Sequence, residues 1–280
     1  MNLFMSFLLL FLLYTDKLAA LNFNTDVTVT WGQGHVVKSR NGEEMELKMD
    51  QYSGASAQTN AEFLFGRFDM HVKLNSPDSR GTITTFYLQS PNRDLGWDEA
   101  DFEFIGGSSI ADYKIHTNLI TNGIGNREQQ FRFPFDPTTN YHTYSFFWTP
   151  QQILWYVDGI PIRVYRKLND SRILYPDKQP MKVYTSLWNN TDWIGEVNWK
   201  NAPFSAHYRS FYVNACVAWR DGSNVNSYCK LAPPFWFYIK LLPWERDMII
   251  RMREQYMTYD YCTDKEKVTN VTSIECANNP

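Results

Sequence analysis

Trp97-Asp-Glu-Ala-Asp-Phe-Glu-Phe-Ile-Gly106 is the stretch from which the rest of this chain is best read. Side chains alternate across an extended strand, so Glu99, Asp101 and Glu103 share one face. Asp98, Ala100, Phe102 and Phe104 share the other, which is mostly apolar. One face therefore packs, and the other presents three carboxylates in a row. Like charges this close on a sheet repel, and a plain solvated face would more cheaply mix in Lys or Thr. Carboxylates suit Ca²⁺ or Mg²⁺, but a strict period of two on one strand makes a poor cage, and no metal is expected. The chemistry that wants clustered carboxylates is glycosidic bond cleavage, in which one attacks the anomeric carbon and another, protonated, delivers a proton to the leaving oxygen. A third between them can raise the acid's affinity for its proton and hydrogen-bond the nucleophile. A retaining pair needs carboxyl groups about 5–5.5 Å apart. Strand positions four apart lie roughly 13 Å apart at Cα, so the two Glu side chains must lean together or the strand must bend.

Outward from this strand the sequence keeps the same period. Val27-Thr-Val-Thr-Trp31, Phe68-Asp-Met-His-Val-Lys-Leu74 and Gly81-Thr-Ile-Thr-Thr-Phe-Tyr-Leu88 alternate. Tyr144-Ser-Phe-Phe-Trp148 and Ile153-Leu-Trp-Tyr-Val157 are rich in strand formers, and Asp158-Gly159 before Ile160-Pro-Ile-Arg-Val-Tyr165 signals a hairpin. Many short strands from about Phe23 to Trp199 point to an all-β sandwich or jelly roll. Leu241 to Tyr261 instead has helical spacing, with Trp244, Met248, Ile249, Met252 and Tyr256 recurring on one side. Residues from about 206 onward read as a small extension stapled to the sandwich.

The 280 residues suffice for one large β-domain with a core plus an extension. With 27 Lys+Arg against 30 Asp+Glu there is no basic stripe for nucleic acid. Aromatics are 16% of the chain, which suits both a packed core and a groove that stacks on sugar rings. The opening apolar run, Met1 to Tyr14, is too short for a comfortable membrane span. Followed by Leu18-Ala19-Ala20, it reads as a signal peptide cleaved after about Ala20, although its start lacks Lys or Arg. No later stretch would span a bilayer. Cys216, Cys229, Cys262 and Cys276 permit three pairings. Sequence neighbours, Cys216–Cys229 and Cys262–Cys276, close two short loops and are the expected pairs; no CxxC favours zinc. Asn169, Asn189 and Asn270 head glycosylation sequons.

Asp98-Glu-Ala-Asp-Phe-Glu-Phe-Ile-Gly106 resembles the signature of plant xyloglucan endotransglucosylase/hydrolases, within glycoside hydrolase family sixteen. The likeness extends through Ser53-Gly54, Phe135-Asp-Pro-Thr138, Tyr141-His-Thr-Tyr-Ser145, Tyr156 to Arg163, Ser186-Leu-Trp-Asn189, Ala202-Pro-Phe204 and Tyr261-Cys-Thr-Asp264. It implies a concanavalin-like β-jelly-roll sandwich with an open cleft and a short disulfide-bonded C-terminal extension containing a helix. On that frame 1–20 is the signal peptide, 21–205 the catalytic domain and 206–280 the extension. The resemblance implies Glu99 as nucleophile, Glu103 as acid/base and Asp101 as the assisting carboxylate, with no cofactor. It implies sugar contacts from His116, Thr117, Asn118, Asn126, Arg127, Glu128, Asp192 and Trp193, with Trp188 and Trp193 as stacking platforms. His116 departs from the usual Gln of this motif, and Trp97 stands where His is common. Gly106-Gly-Ser-Ser109 lacks the sequon many members carry, and Lys265-Glu-Lys-Val268 lacks an Arg. The short Ile194-Gly-Glu-Val-Asn198 favours transfer over hydrolysis, because longer loops there accompany hydrolytic members.

The expected activity is thus a secreted, cell-wall endo-β-1,4-glucan transglucosylase acting on xyloglucan donor and acceptor, with a monomer as the simplest state. Mixed-linkage or cellulosic glucan is the rival substrate. A lectin-like sugar binder without turnover is the rival of another class, and the intact acidic set argues against it.

Overall fold

The computed structural model describes residues 19–75, 78–91, 96–221 and 224–279. The strands there are β1 (Ala19–Ala20), β2 (Val27–Trp31), β3 (Val36–Lys38), β4 (Glu44–Met49), β5 (Ala55–Thr59), β6 (Glu62–Lys73), β7 (Thr82–Gln89), β8 (Glu99–Ile105) and β9 (Lys114–Ile120). They continue as β10 (Gln129–Arg132), β11 (His142–Trp148), β12 (Gln152–Val157), β13 (Ile160–Arg166), β14 (Lys182–Asn189), β15 (Phe204–Asp221), β16 (Asn224–Ser227) and β17 (Met257–Asp260). The helices are α1 (Thr191–Ile194), α2 (Tyr228–Leu231), α3 (Pro243–Tyr256) and α4 (Asn270–Asn278).

Two antiparallel sheets result. One runs β13-β12-β11-β6-β15-β4-β3, with β1 and β16 paired to β15; the other runs β17-β10-β9-β8-β7-β14-β5-β2. Part of the aromatic complement packs between them. Phe86 of β7 and Phe102 of β8 meet Phe146 of β11 at ring separations of 5.1 Å each, and Phe104 meets Tyr144 at 4.4 Å. All five rings are buried. The apolar face of β8 thus points into the sandwich, as its alternation requires, and its carboxylates point away from the core. The Asp158–Gly159 hairpin forms as read. Val157 pairs with Ile160, and φ is +49° and +77° at the two loop residues, the conformation for which Gly is suited.

Three features differ from the sequence reading. The helix stops at Tyr256 rather than Tyr261, because Met257-Thr-Tyr-Asp260 turns extended and pairs with β10 at the sheet edge. Trp244, expected on the packed side, is exposed, whereas Ile249 is buried against Leu154, Tyr156 and Val164. Finally, β15 runs unbroken across the 205/206 boundary and pairs with β4 and β6, so residues just beyond 206 are structurally sandwich. The region expected as signal peptide lies mostly outside the described residues; Ala19 and Ala20 pair with Val213 and Tyr212.

Cys216–Cys229 and Cys262–Cys276 are the disulfides, with Cα separations of 5.4 and 5.6 Å. A buried ion pair reinforces the second. Arg127 Nε and Nη2 donate to the two oxygens of Glu275 on α4, at 2.8 and 2.7 Å. Among the described residues no helix is long and apolar enough to cross a membrane.

Candidate active site

Register builds the site. On β8, Glu99, Asp101 and Glu103 stand opposite Gln89, Tyr87 and Thr85 of β7. On the other side they face Ile120, Asn118 and His116 of β9. The three carboxylates therefore line up with a polar row on β7, and Asp101 and Glu103 also face polar partners on β9. Gln89 Nε2 donates to Glu99 Oε2, which fixes that carboxylate from the side. His116 Nδ1 lies 3.0 Å from Glu103 Oε2.

Asp101 is nearly fully buried between the two glutamates. Burial holds its carboxyl well above the usual carboxylate range; repulsion from Glu99 and Glu103, and a hydrogen bond to Glu99, add to the effect, while buried Arg163 opposes it. Asp101 thus holds its proton more tightly than an ordinary aspartic acid and can donate to Glu99. Asp98 faces the other way, as the alternation requires. It borders a separate hollow of about 530 Å³, and burial pushes its carboxyl up to about 6.

Two adjoining hollows meet at Glu103 and Trp188. One, of about 400 Å³, holds Glu99 and Asp101 with Trp31, Tyr87 and Gln89. The other, of about 590 Å³, is lined by His116, Asn118, Glu128, Trp193, Tyr259 and Lys267. Together they form a groove across the strands, with the acidic row lining the first arm and Glu103 at its junction with the second. Tyr87 stacks on Tyr184 at 5.0 Å, so its ring is braced beside Asp101. Glu128 Oε2 is buried and has no hydrogen-bond partner among the described residues. At the wall of the second arm, that oxygen is suited to accept from a hydroxyl. Such a groove, with carboxylates at its waist and indoles along it, can hold an extended polymer of hydroxylated rings and cut it internally.

The expected binding residues divide. His116, Asn118, Glu128, Trp188 and Trp193 line the groove. Asn126 and Asp192 are exposed and border neither hollow; Asn126 accepts from Lys267 Nζ. Two expectations need correction. Thr117 is fully buried on the core side of β9, where it accepts from Arg163 Nη1 at 2.9 Å. Next to His116 on a strand, it cannot share the groove face. Arg127 is buried in its pair with Glu275 and also donates to Ile124 O at 2.7 Å, so it braces the extension instead of meeting sugar. Residues that sequence reasoning missed include Trp31, Gln89, Gln130, Tyr259 and Lys267. The alternation of β7 places Thr85, Tyr87 and Gln89 on one face, but only the cross-strand register sets Gln89 beside Glu99. Among the described residues no His, Cys, Asp and Glu side chains gather as a metal site.

A two-sheet sandwich with an E-x-D-x-E strand along an open groove defines a class of polysaccharide-cleaving enzymes, and comparison with known proteins agrees. The model of glycosyl hydrolases family 16 matches residues 23–203, and the chain belongs to that family. It is 41% identical over 280 residues to xyloglucan endotransglucosylase/hydrolase protein 22 of Arabidopsis thaliana, covering 96% of each chain. It is 39% identical over 261 residues to xyloglucan endotransglucosylase protein 7 of Diospyros kaki, covering 91% of this chain and 97% of that one. Among solved structures, a Bacillus licheniformis β-glucanase is similar, with a TM-score of 0.55 and 27% identity over 70% of this chain and 88% of that one. The Crh5 transglycosylase shares the fold, with a TM-score of 0.58 and 21% identity over 71% of this chain and 85% of that one.

Proposed function

We propose that this chain is a retaining endo-β-1,4-glucan transglucosylase that cuts and rejoins xyloglucan. The observation that carries the reading is the row Glu99, Asp101, Glu103 at the waist of a groove open on both sides. Glu99 attacks the anomeric carbon of the donor while Glu103 protonates the glycosidic oxygen, and the leaving chain departs. The second arm of the groove, on the Glu103 side, holds that leaving chain. An acceptor glucan then takes its place, Glu103 removes a proton from the acceptor hydroxyl, and the new C–O bond releases Glu99. Asp101, neutral and bonded to Glu99, steadies the nucleophile and releases that bond as the ester forms. Trp188 and Trp193 offer faces on which sugar rings stack.

The acidic row and groove support glycosidic chemistry; the names of the similar curated proteins support xyloglucan as the polymer and transfer as an outcome. Two disulfides support a secretory route to the plant cell wall. So do the three sequon residues, Asn169, Asn189 and Asn270, all of which are exposed. We take the protein as a monomer bound only to glucan, with no nucleic acid and no cofactor.

Paired assays on the secreted protein test this. One follows xyloglucan attachment to a labelled xyloglucan oligosaccharide, and the other follows new reducing ends. Label transfer with few new ends is expected. New ends without transfer would make it a hydrolase, and activity confined to mixed-linkage or cellulosic glucan would move the substrate. Silence on every glucan would favour a sugar-binding protein.

A further inference from the structure

We propose that His116 is a positioning residue for the acid/base, holding one oxygen of Glu103 and sharing its proton; this rests on the reading of Glu103 given above. The two groups are fixed by the sheet itself, since His116 and Glu103 are direct cross-strand partners. Nδ1 lies 3.0 Å from Oε2, the imidazole is 8% exposed and the carboxylate 19%. The imidazole also meets Trp193, with ring centroids 5.1 Å apart and the planes tilted by 49°. The indole of α1 and the carboxylate of β8 therefore both contact the ring and restrict its rotation. With Oε2 occupied by Nδ1, Oε1 is the oxygen left for the glycosidic bond.

The surroundings of the ring bear on its charge. From β8 come Glu103 and, beyond it, Asp101 and Glu99. β10 sets neutral Gln130 opposite His116, with Glu128 just before that strand. β17 brings Tyr259, whose hydroxyl donates to Asp264 at 2.7 Å, and the following loop brings Lys267. Around the ring, acidic side chains thus outnumber the one lysine. Interacting groups titrate as a pair, so proton loss follows both partners and not the glutamate alone. Isolated His and Glu differ by about 2 pH units in where they lose a proton. His116 is thus a second base within reach of that proton, and its loss leaves Glu103 to hold the proton alone.

In the first half-reaction that proton moves from the pair to the glycosidic oxygen as the C1–O bond breaks and the Glu99–C1 bond forms. It leaves a Glu103 carboxylate beside neutral imidazole. In the second half-reaction the proton of the acceptor hydroxyl returns to the pair as that oxygen bonds to C1 and the Glu99 ester breaks.

The test is the pH profile of kcat/KM for the donor in wild type and H116Q, with Glu103→Gln as the control on the acid/base assignment. Glutamine can still donate to Oε2 but cannot titrate. H116Q is expected to keep the donor KM within a few-fold, while its alkaline limb moves about 1–2 pH units toward acid. H116A, which also loses the contact with Trp193, is expected to lose kcat about tenfold or more. An alkaline limb unmoved in H116Q, with Glu103→Gln inactive, overturns the proposal and leaves the assignment of Glu103 standing. Wild-type rates in Glu103→Gln would instead remove that assignment, and this proposal with it. Should H116Q not fold, the His116 ring titration followed by NMR in wild type and Glu103→Gln decides. A midpoint that falls in Glu103→Gln supports the pair, and an unchanged midpoint refutes it.

Discussion

Asp101 is held protonated where an unfolded chain would release the proton, and this has a sign. Between the ordinary Asp value of about 3.9 and its raised folded value, the native state binds more protons than the unfolded state, so stability falls as pH rises. Asp98, raised to about 6, acts the same way over roughly pH 4–6. Asp101→Asn keeps a donor toward Glu99 without a charge to bury. It is therefore expected to raise Tm at pH 7, by about 2 °C or more, while slowing turnover less than Glu103→Ala does. Glu103→Ala should lose about 10²–10⁴-fold. Thermal melts at pH 4 and 7, paired with rates, check both; an Asp101→Asn melting below wild type at pH 7 contradicts the assigned charge state. At this scale the acidic row was legible, because a period of two needs no partner to be read. Thr117 was not placed correctly: a motif compared as a string carries neighbours along together, although adjacent strand residues face opposite ways. Arg127 was misplaced because its partner, Glu275, lies 148 residues away and no local pattern announces it.

At the scale of elements, α4 is tied to the sandwich twice, by Cys262–Cys276 and by Arg127–Glu275. Removing one partner of a buried ion pair strands the other charge. Glu275→Ala is thus expected to cost about 3–5 kcal/mol, read by denaturant unfolding. The double replacement Cys262→Ser and Cys276→Ser should cost about 2–4 kcal/mol. A Glu275→Ala variant as stable as wild type would mean the extension is held by its other contacts. Strands were easier to foresee than their ends. Helical periodicity through 241–261 gave no hint that Met257 would turn extended, since what stops α3 is an open edge of β10 waiting for a partner. Likewise β15 follows Ala202-Pro-Phe204 into the middle of a sheet, where β4 and β6 flank it. Flanking strands from distant sequence set its length, so the 205/206 boundary had no local cause.

Over the whole molecule, the sheet that bears the acidic row gains its outermost strand, β17, from the region read as extension. Tyr259 and Lys267, from that region, line the same groove arm as His116 and Trp193. The C-terminal segment therefore shapes the side on which the acceptor is proposed to bind. Lys267→Ala is expected to raise KM for a labelled acceptor several-fold with little change in donor hydrolysis, measured by separate transfer and reducing-end rates. Equal effects on both rates would contradict an acceptor-side role.

The attack by Glu99 is tested most directly by mass spectrometry of wild-type protein quenched during reaction with a xyloglucan oligosaccharide donor, followed by peptide mapping. The expected result is a glycan-sized mass increase on the peptide that carries Glu99, absent from Glu99→Ala. Unmodified Glu99 throughout turnover, with product released in the inverted anomeric configuration, would contradict it.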